Sequence, residues 1–102
     1  VAEPSVVANA DANRYEVRVD DQVAGFTEYK VVGDQVVFVH TEIDDGYAGQ
    51  GLGKVLAAGA LDDVVLRGRR IVPVCPFIAK FVVRNKDKYD DHVTWPKDVR
   101  DE

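Results

Sequence analysis

The chain has 102 residues, 46% of them hydrophobic and 30% charged, with 18 acidic against 13 basic side chains and a net charge of -5. That length holds one domain around a single core, and no apolar run approaches the roughly 20 residues needed to span a bilayer. The acidic balance argues against a nucleic-acid partner, which needs a basic face, and suits a cationic amine; Cys75 is the one cysteine and His40 and His92 the only histidines, so an intramolecular disulfide and a cysteine zinc site are excluded.

Residues 1–12 show no clear periodicity and read as a flexible lead-in. Val1-Ala2-Glu3-Pro4-Ser5 lacks the basic and apolar segments of a secretory leader, so the expected location is the cytoplasm. The domain is expected over residues 13–94, with a charged tail at 95–102. Arg14 to Val19 alternates, with Tyr15, Val17 and Val19 on one face and Arg14, Glu16 and Arg18 on the other, the pattern of a half-buried strand. Asp20-Asp21 turns the chain into a second strand over Val23 to Val32. Gly33-Asp34 then closes a hairpin onto a third over Gln35 to Ile43, completing an antiparallel meander. In that third strand a period of two puts Val36, Phe38, His40 and Glu42 together on one face and Val37, Val39, Thr41 and Ile43 on the other.

The stretch from Glu42 to Lys54 runs out of the strand into a glycine-rich turn. Gly49, Gly51 and Gly53 let the backbone approach a bound group, and the helix that follows, over about Gln50 to Arg67, begins with unpaired N–H groups and about half a positive charge. Such a place attracts phosphate, and Lys54 adds a full charge. A Walker loop fails, because Ala48 and Val55 stand where its first glycine and its hydroxyl belong; a dinucleotide fingerprint from Gly49 fails at Lys54. Along the helix Leu52, Leu56, Ala60 and Val64 form the apolar side and Lys54, Ala58 and Asp62 a thin polar stripe. Asp63 interrupts the apolar side, and Gly59 calls for a close backbone contact. Gly68 ends the helix. Arg69 to Val74 reads as a strand parallel to the third. Pro76 opens a helix with Phe77, Ile78, Phe81 and Val82 on one stripe, and Lys86 to Asp91 is a last short turn carrying Tyr89.

The G-x-G-x-G turn after a polar-ended strand resembles the pyrophosphate loop of the GNAT acetyltransferases, whose pattern is Q/R-x-x-G-x-G/A. Gly51 and Gly53 match its small residues, and Ala48 stands where Gln or Arg is usual. With His40-Thr41-Glu42-Ile43 and Cys75-Pro76-Phe77-Ile78-Ala79-Lys80-Phe81, the chain from about Tyr15 to His92 resembles a minimal GNAT-like family of about a hundred residues. Asn85-Lys86 replaces the His-Pro that relatives tend to carry after the second helix.

The resemblance implies a mixed α+β fold and acetyl-coenzyme A as cofactor. It implies that Gly49, Gln50, Gly51, Leu52, Gly53 and Lys54 hold the pyrophosphate. Thr41, Glu42 and Ile43 would pair with the pantetheine arm where two strands splay, and Cys75, Pro76, Phe77, Lys80 and Phe81 would line the same site. It also puts Cys75 at the mouth of the gap close to His40 and Glu42, giving a nucleophile and a base. The reaction expected is acetyl transfer to a small-molecule or peptide amine, with His40 or Glu42 as base and Cys75 either lining the cofactor or carrying the acyl group. A coenzyme A-binding module without transfer activity and a purely structural interaction domain are the other classes. The protein is expected to be a monomer or weak homodimer, with neither nucleic acid nor membrane as partner.

Overall fold

The computed structural model describes residues 3–95. Its elements are β1 (Ser5–Asn9), β2 (Arg14–Val19), β3 (Gln22–Val32), β4 (Gln35–Ile43), α1 (Leu52–Leu66), β5 (Arg70–Pro73), α2 (Pro76–Arg84) and α3 (Lys86–Tyr89). They build one sheet in the order β1-β2-β3-β4-β5, antiparallel throughout except for β5, which runs parallel to β4. The mixed α+β architecture expected from the sequence is therefore present, with the meander at β2–β4.

The lead-in is corrected. Ser5–Asn9 is a strand paired to β2 from Ser5↔Arg18 to Asn9↔Arg14, so the folded unit begins well before residue 13. Five small residues with little contrast between faces leave no periodicity to read. The strand is held because Val6 packs into the space above Gly59, where a Cβ would lie 2.6 Å from Val6 Cγ2. That close approach of β1 to α1 is what the glycine in the helix allows.

Turn chemistry follows the letters. Asp20 and Asp21 have φ of +54° and +67°, the left-handed pair that a two-residue hairpin requires and that short polar side chains tolerate. At the end of α1, Gly68 has φ +73°; its N–H bonds Val65 O at 2.9 Å and the Arg69 N–H bonds Val64 O at 3.0 Å, so orphan carbonyls are satisfied and the helix stops.

The helix α1 buries Leu52, Leu56, Ala57, Ala60, Leu61 and Val64. These join Tyr15, Val17, Val36, Phe38 and Ile71 of the sheet and Ile78 and Val82 of α2 in one core. Asp63, which interrupts that apolar side, accepts a 2.7 Å hydrogen bond from the buried Tyr15 hydroxyl and a 2.8 Å bond from Arg67 Nε. Burial and this carboxylate push the Tyr15 hydroxyl well above its ordinary pKa. After α3, Val93 bridges Ile71 in parallel and the Thr94 N–H bonds Ile71 O at 2.8 Å, continuing the sheet beyond β5. Of the expected tail, residues 96–102 lie outside the described residues.

Candidate functional site

The site is built by β4 changing its pairing halfway along. Against β3 its register runs Gly25↔Ile43, Phe26↔Glu42, Thr27↔Thr41 and Glu28↔His40, then Tyr29↔Phe38, so Val39 is an extra, unopposed residue. A bulge of this kind reverses which side chains face the core. Val36 and Phe38 are buried before it. After it Ile43 packs on the core and Thr41 Oγ1 meets the buried Thr27 Oγ1 at 2.9 Å, while His40 and Glu42 turn outward. The uniform period of two that placed His40 and Glu42 on one face with Val36 and Phe38 is thus overturned by one inserted residue.

On its other side β4 loses its partner at the same point. Pairing with β5 ends at Phe38↔Pro73, where Phe38 O accepts from the N–H of both Val74, at 3.1 Å, and Cys75, at 2.8 Å. Pro73 and Pro76 bracket the departure, because neither offers an N–H to continue a ladder and Pro76 starts α2. From Val39 to Ile43 the edge of β4 facing β5 therefore has no strand beside it among the described residues. Beside this edge, on its core side, Cys75 Sγ lies 3.3 Å from Thr41 Oγ1.

The glycine turn follows β4 directly. Asp44 caps the bend by accepting from the Gly46 N–H at 2.9 Å, and Asp45–Tyr47 makes a single 3-10 turn. Gly49 and Gly51 then take φ of +82° and +74°, and open space lies where their side chains would be. Gly51 caps α1 without any side-chain hydrogen bond, so the first helical N–H groups, from Leu52, Gly53 and Lys54, lie at an exposed end without a side-chain cap. The third glycine has a different cause. Gly53 is helical, and a Cβ there would lie 2.7 Å from Phe77 Cζ, so its absence lets the ring of α2 lie across the first turn of α1.

Phe77 also borders a groove of about 330 Å³ lined by Lys54, Lys80, Phe81, Arg84 and Asn85. Of these, Arg84 was not singled out from the sequence, and Asn85 only as a departure from the relatives' His-Pro, although positions 77, 80, 81 and 84 have the spacing of one helix face.

On the outward face of the sheet, His40 Nε2 and Glu42 Oε2 are 2.7 Å apart and both side chains are at least half exposed. The His40 ring stands 6.2 Å from that of Phe26, a neighbour that the alternation of β3 signals but sequence reading passed over. A hollow of about 180 Å³ between Phe26, Glu42, Asp44 and Arg14 adjoins this pair. The expected closeness of Cys75 to His40 and Glu42 is corrected. Cys75 meets Thr41 on the core side, and the residues flanking Thr41 in an extended strand necessarily point the other way. Of the remaining sequence-derived positions, Gly53 lies against Phe77, and Lys54 lines one groove with Phe77, Lys80 and Phe81.

A sequence model of the GCN5-related N-acetyl-transferase family matches residues 14–92. Curated relatives include Protein NATD1 of Bos taurus, 45% identical over 58 residues, and that of Gallus gallus, 39% identical over 67 residues. The match takes in 56% of this chain and 51% of the bovine protein, and 64% and 61% for the chicken protein, so it spans about half the length of these relatives. In fold, the chain is similar to a GCN5-like protein of Staphylococcus aureus solved by NMR, with a TM-score of 0.63 at 21% identity over 91% of this chain and 90% of that one. It is also similar to the ribosomal-protein-S18-alanine N-acetyltransferase of Escherichia coli, with a TM-score of 0.56 at 17% identity over 70% of this chain and 64% of that one. The family match covers the bulged β4, the glycine turn, α1, β5 and α2, and with it the chain belongs to the GCN5-related N-acetyltransferase family.

Proposed function

We propose that the protein is an acetyl-coenzyme A-dependent N-acetyltransferase acting on a small-molecule or peptide amine. The observation that carries this reading is the edge of β4 from Val39 to Ile43, unpartnered among the described residues, which leads directly into a helix start without a side-chain cap. An extended chain with amide groups can pair with such an edge while its phosphates meet the helix amides. The residues fit that cofactor: the turn has room where two Cβ atoms are missing, and Lys54 stands at its end.

Gly49, Gln50, Gly51, Leu52 and Gly53 present backbone to the pyrophosphate, and Lys54 adds charge. Thr41, Glu42 and Ile43 offer main-chain hydrogen bonds to the pantetheine arm. Bound acetyl-coenzyme A supplies an acyl thioester as electrophile. His40 takes a proton from the acceptor amine on the outward face of β4. Glu42, 2.7 Å from its ring, holds the imidazole in place and balances the charge it gains. The carboxylates of Glu42 and Asp44 outnumber the one cation of the Phe26 hollow, Arg14, which is itself paired with Glu16, and so favour a cationic acceptor.

The test is calorimetry with coenzyme A, followed by thiol release from acetyl-coenzyme A with a polyamine, a free lysine and a peptide amino terminus. Binding with amine-dependent thiol release supports the enzyme. Binding without amine-dependent release would leave a coenzyme A-binding module, and no binding would remove both.

A further inference from the structure

At the end of the sheet away from the glycine turn, where β2 begins and β3 passes into β4, a cavity of about 260 Å³ opens between the sheet and the end of α1. The helix is 15 residues long, roughly 22 Å at 1.5 Å per residue, and that length separates the cavity from the turn. Its walls are apolar, from Val31, Val36 and Val64 together with the rings of Tyr15 and Tyr29, whose centroids are 5.3 Å apart. Its charged groups are Asp63, Arg67 and Arg69, from the end of α1 and the turn that follows. Asp63 is already answered, because it accepts from the Tyr15 hydroxyl at 2.7 Å and from Arg67 Nε at 2.8 Å. Arg69 is half-buried and pairs with no carboxylate among the described residues, so the cavity keeps one unanswered positive charge in a chain of net charge -5. A guanidinium partly withdrawn from water without an anion is a cost that a bound anion removes.

We propose that this cavity is a second ligand site that binds a small aromatic monocarboxylate, with the carboxylate on the Arg69 guanidinium and the ring against Tyr15 and Tyr29. A guanidinium presents a planar fork that meets both oxygens of a carboxylate at once. One negative charge matches the one that is unanswered; a phosphate would bring more charge than the cavity balances and leave the apolar walls bare. The ring has a cluster to join. Tyr15, Tyr29 and Phe38 already lie with centroids 5.3, 6.3 and 6.2 Å apart in tilted and edge-on arrangements, and a fourth ring extends the geometry that aromatic quadrupoles favour. Asn13, held at φ +53° in the turn before β2, lines the same cavity with an amide able to donate to the carboxylate. The volume falls below the roughly 300 Å³ at which drug-sized pockets begin, which limits the ligand to a single ring with a short acidic arm. Coenzyme A has no part in this pairing, so the cavity fills whether or not the protein transfers acetyl groups.

Titration of the intact chain with phenylacetate, followed by amide chemical shifts, tests this. Saturating shifts are expected at Tyr29, Val36, Val64 and Arg69, with a Kd of about 1 mM or below, the range open to so small a ligand. Phenylacetamide keeps the ring and loses the charge, and acetate keeps the charge and loses the ring; each should bind at least about tenfold more weakly. Arg69→Gln should weaken phenylacetate about tenfold while leaving phenylacetamide within about twofold of its value in the unsubstituted chain. The Arg69 side chain makes no ion pair among the described residues, and unchanged shifts away from the cavity check that the variant keeps its fold. If that variant does not fold, the phenylacetamide and acetate comparisons on the unsubstituted chain decide alone. No shifts at the cavity, equal binding by phenylacetamide or acetate, or full phenylacetate affinity in folded Arg69→Gln overturns the inference.

Discussion

Thr41 Oγ1 lies 3.3 Å from Cys75 Sγ, a contact on the core side of the sheet just beyond the last β4–β5 pair. It links residues 34 positions apart, and it exists because the bulge at Val39 turns Thr41 inward where an unbroken strand would have presented His40. The thiol is 5% exposed and its neighbour is a neutral hydroxyl, whereas the imidazole and carboxylate of β4 are on the opposite face. The base and the sulfur are therefore separated by the sheet.

This separation makes direct transfer the expected route. A covalent route needs a thiolate at Cys75, and no proton acceptor stronger than a hydroxyl touches it among the described residues. Incubation with acetyl-coenzyme A in the absence of an amine should give no acetylated protein by intact mass, and Cys75→Ser should keep activity within about tenfold. A stoichiometric adduct that vanishes in the serine variant would reverse this conclusion.

His40 and Glu42 are expected to act as a unit. Glu42→Gln and His40→Gln should each lower kcat by about a hundredfold, and the double variant should be little worse than either. The folds should be unaffected, since both side chains are at least half exposed. Additive losses would show that the two residues serve separate steps.

The turn offers a test of geometry against charge. Gly51→Val puts a β-branched residue at φ +74°, a conformation it strongly disfavours, and fills the open space above the amides. Coenzyme A affinity should be lost in a variant whose far-ultraviolet circular dichroism is retained. Lys54→Ala should cost only about threefold to tenfold, and less at high salt, because one exposed cation is screened. Undiminished binding by Gly51→Val would remove the loop from the site.

Much of this architecture was readable in the letters. The strands β2 and β4, the glycine stop at Gly68 and the start of α2 at Pro76 follow from alternation, backbone freedom and a missing N–H. What escaped depends on contacts between distant residues. The strand β1 has no pattern of its own and is recruited by Gly59 and β2. Likewise the bulge at Val39 leaves no mark within β4, because it is a mismatch in length between two strands, visible only when β3 is laid beside it. The Arg84 side of the groove was missed because α2 was read for its buried stripe and not for its exposed one.

The contact between α1 and β1 predicts an inversion of the usual helix rule. In an isolated helix, Gly59→Ala would be stabilising by about 1 kcal/mol. Here the new Cβ meets Val6 Cβ at 2.7 Å, close to the backbone of β1 where nothing rotates away. Overpacking should win, leaving Gly59→Ala less stable by about 1–3 kcal/mol in denaturant unfolding. Adding Val6→Ala should recover a good part of the loss; a Gly59→Ala variant more stable than the parent would mean that β1 shifts freely.

Glu16 supplies the pH dependence. Its carboxylate, on a residue 1% exposed, accepts from Asn9 Nδ2 at 3.0 Å, Arg14 Nε at 2.8 Å and Arg18 Nη2 at 2.6 Å. The hydrogen bond from Asn9 and then those from the arginines lower its pKa from 4.5 to about 2, against the opposing effect of burial. Because the folded value lies below the unfolded one, the carboxylate stabilises the fold fully above about pH 4.5, and that contribution is lost as pH falls toward 2. Asn9 belongs to β1 and both arginines to β2, so the loss should loosen β1 first. In Glu16→Gln the stability at pH 7 should drop by about 1–3 kcal/mol, the scale of hydrogen bonds to a charged group. Its decline between pH 4.5 and 2 should also be shallower than the parent's. Parallel pH profiles for the two proteins, measured by denaturant unfolding, would assign the acid sensitivity to other carboxylates.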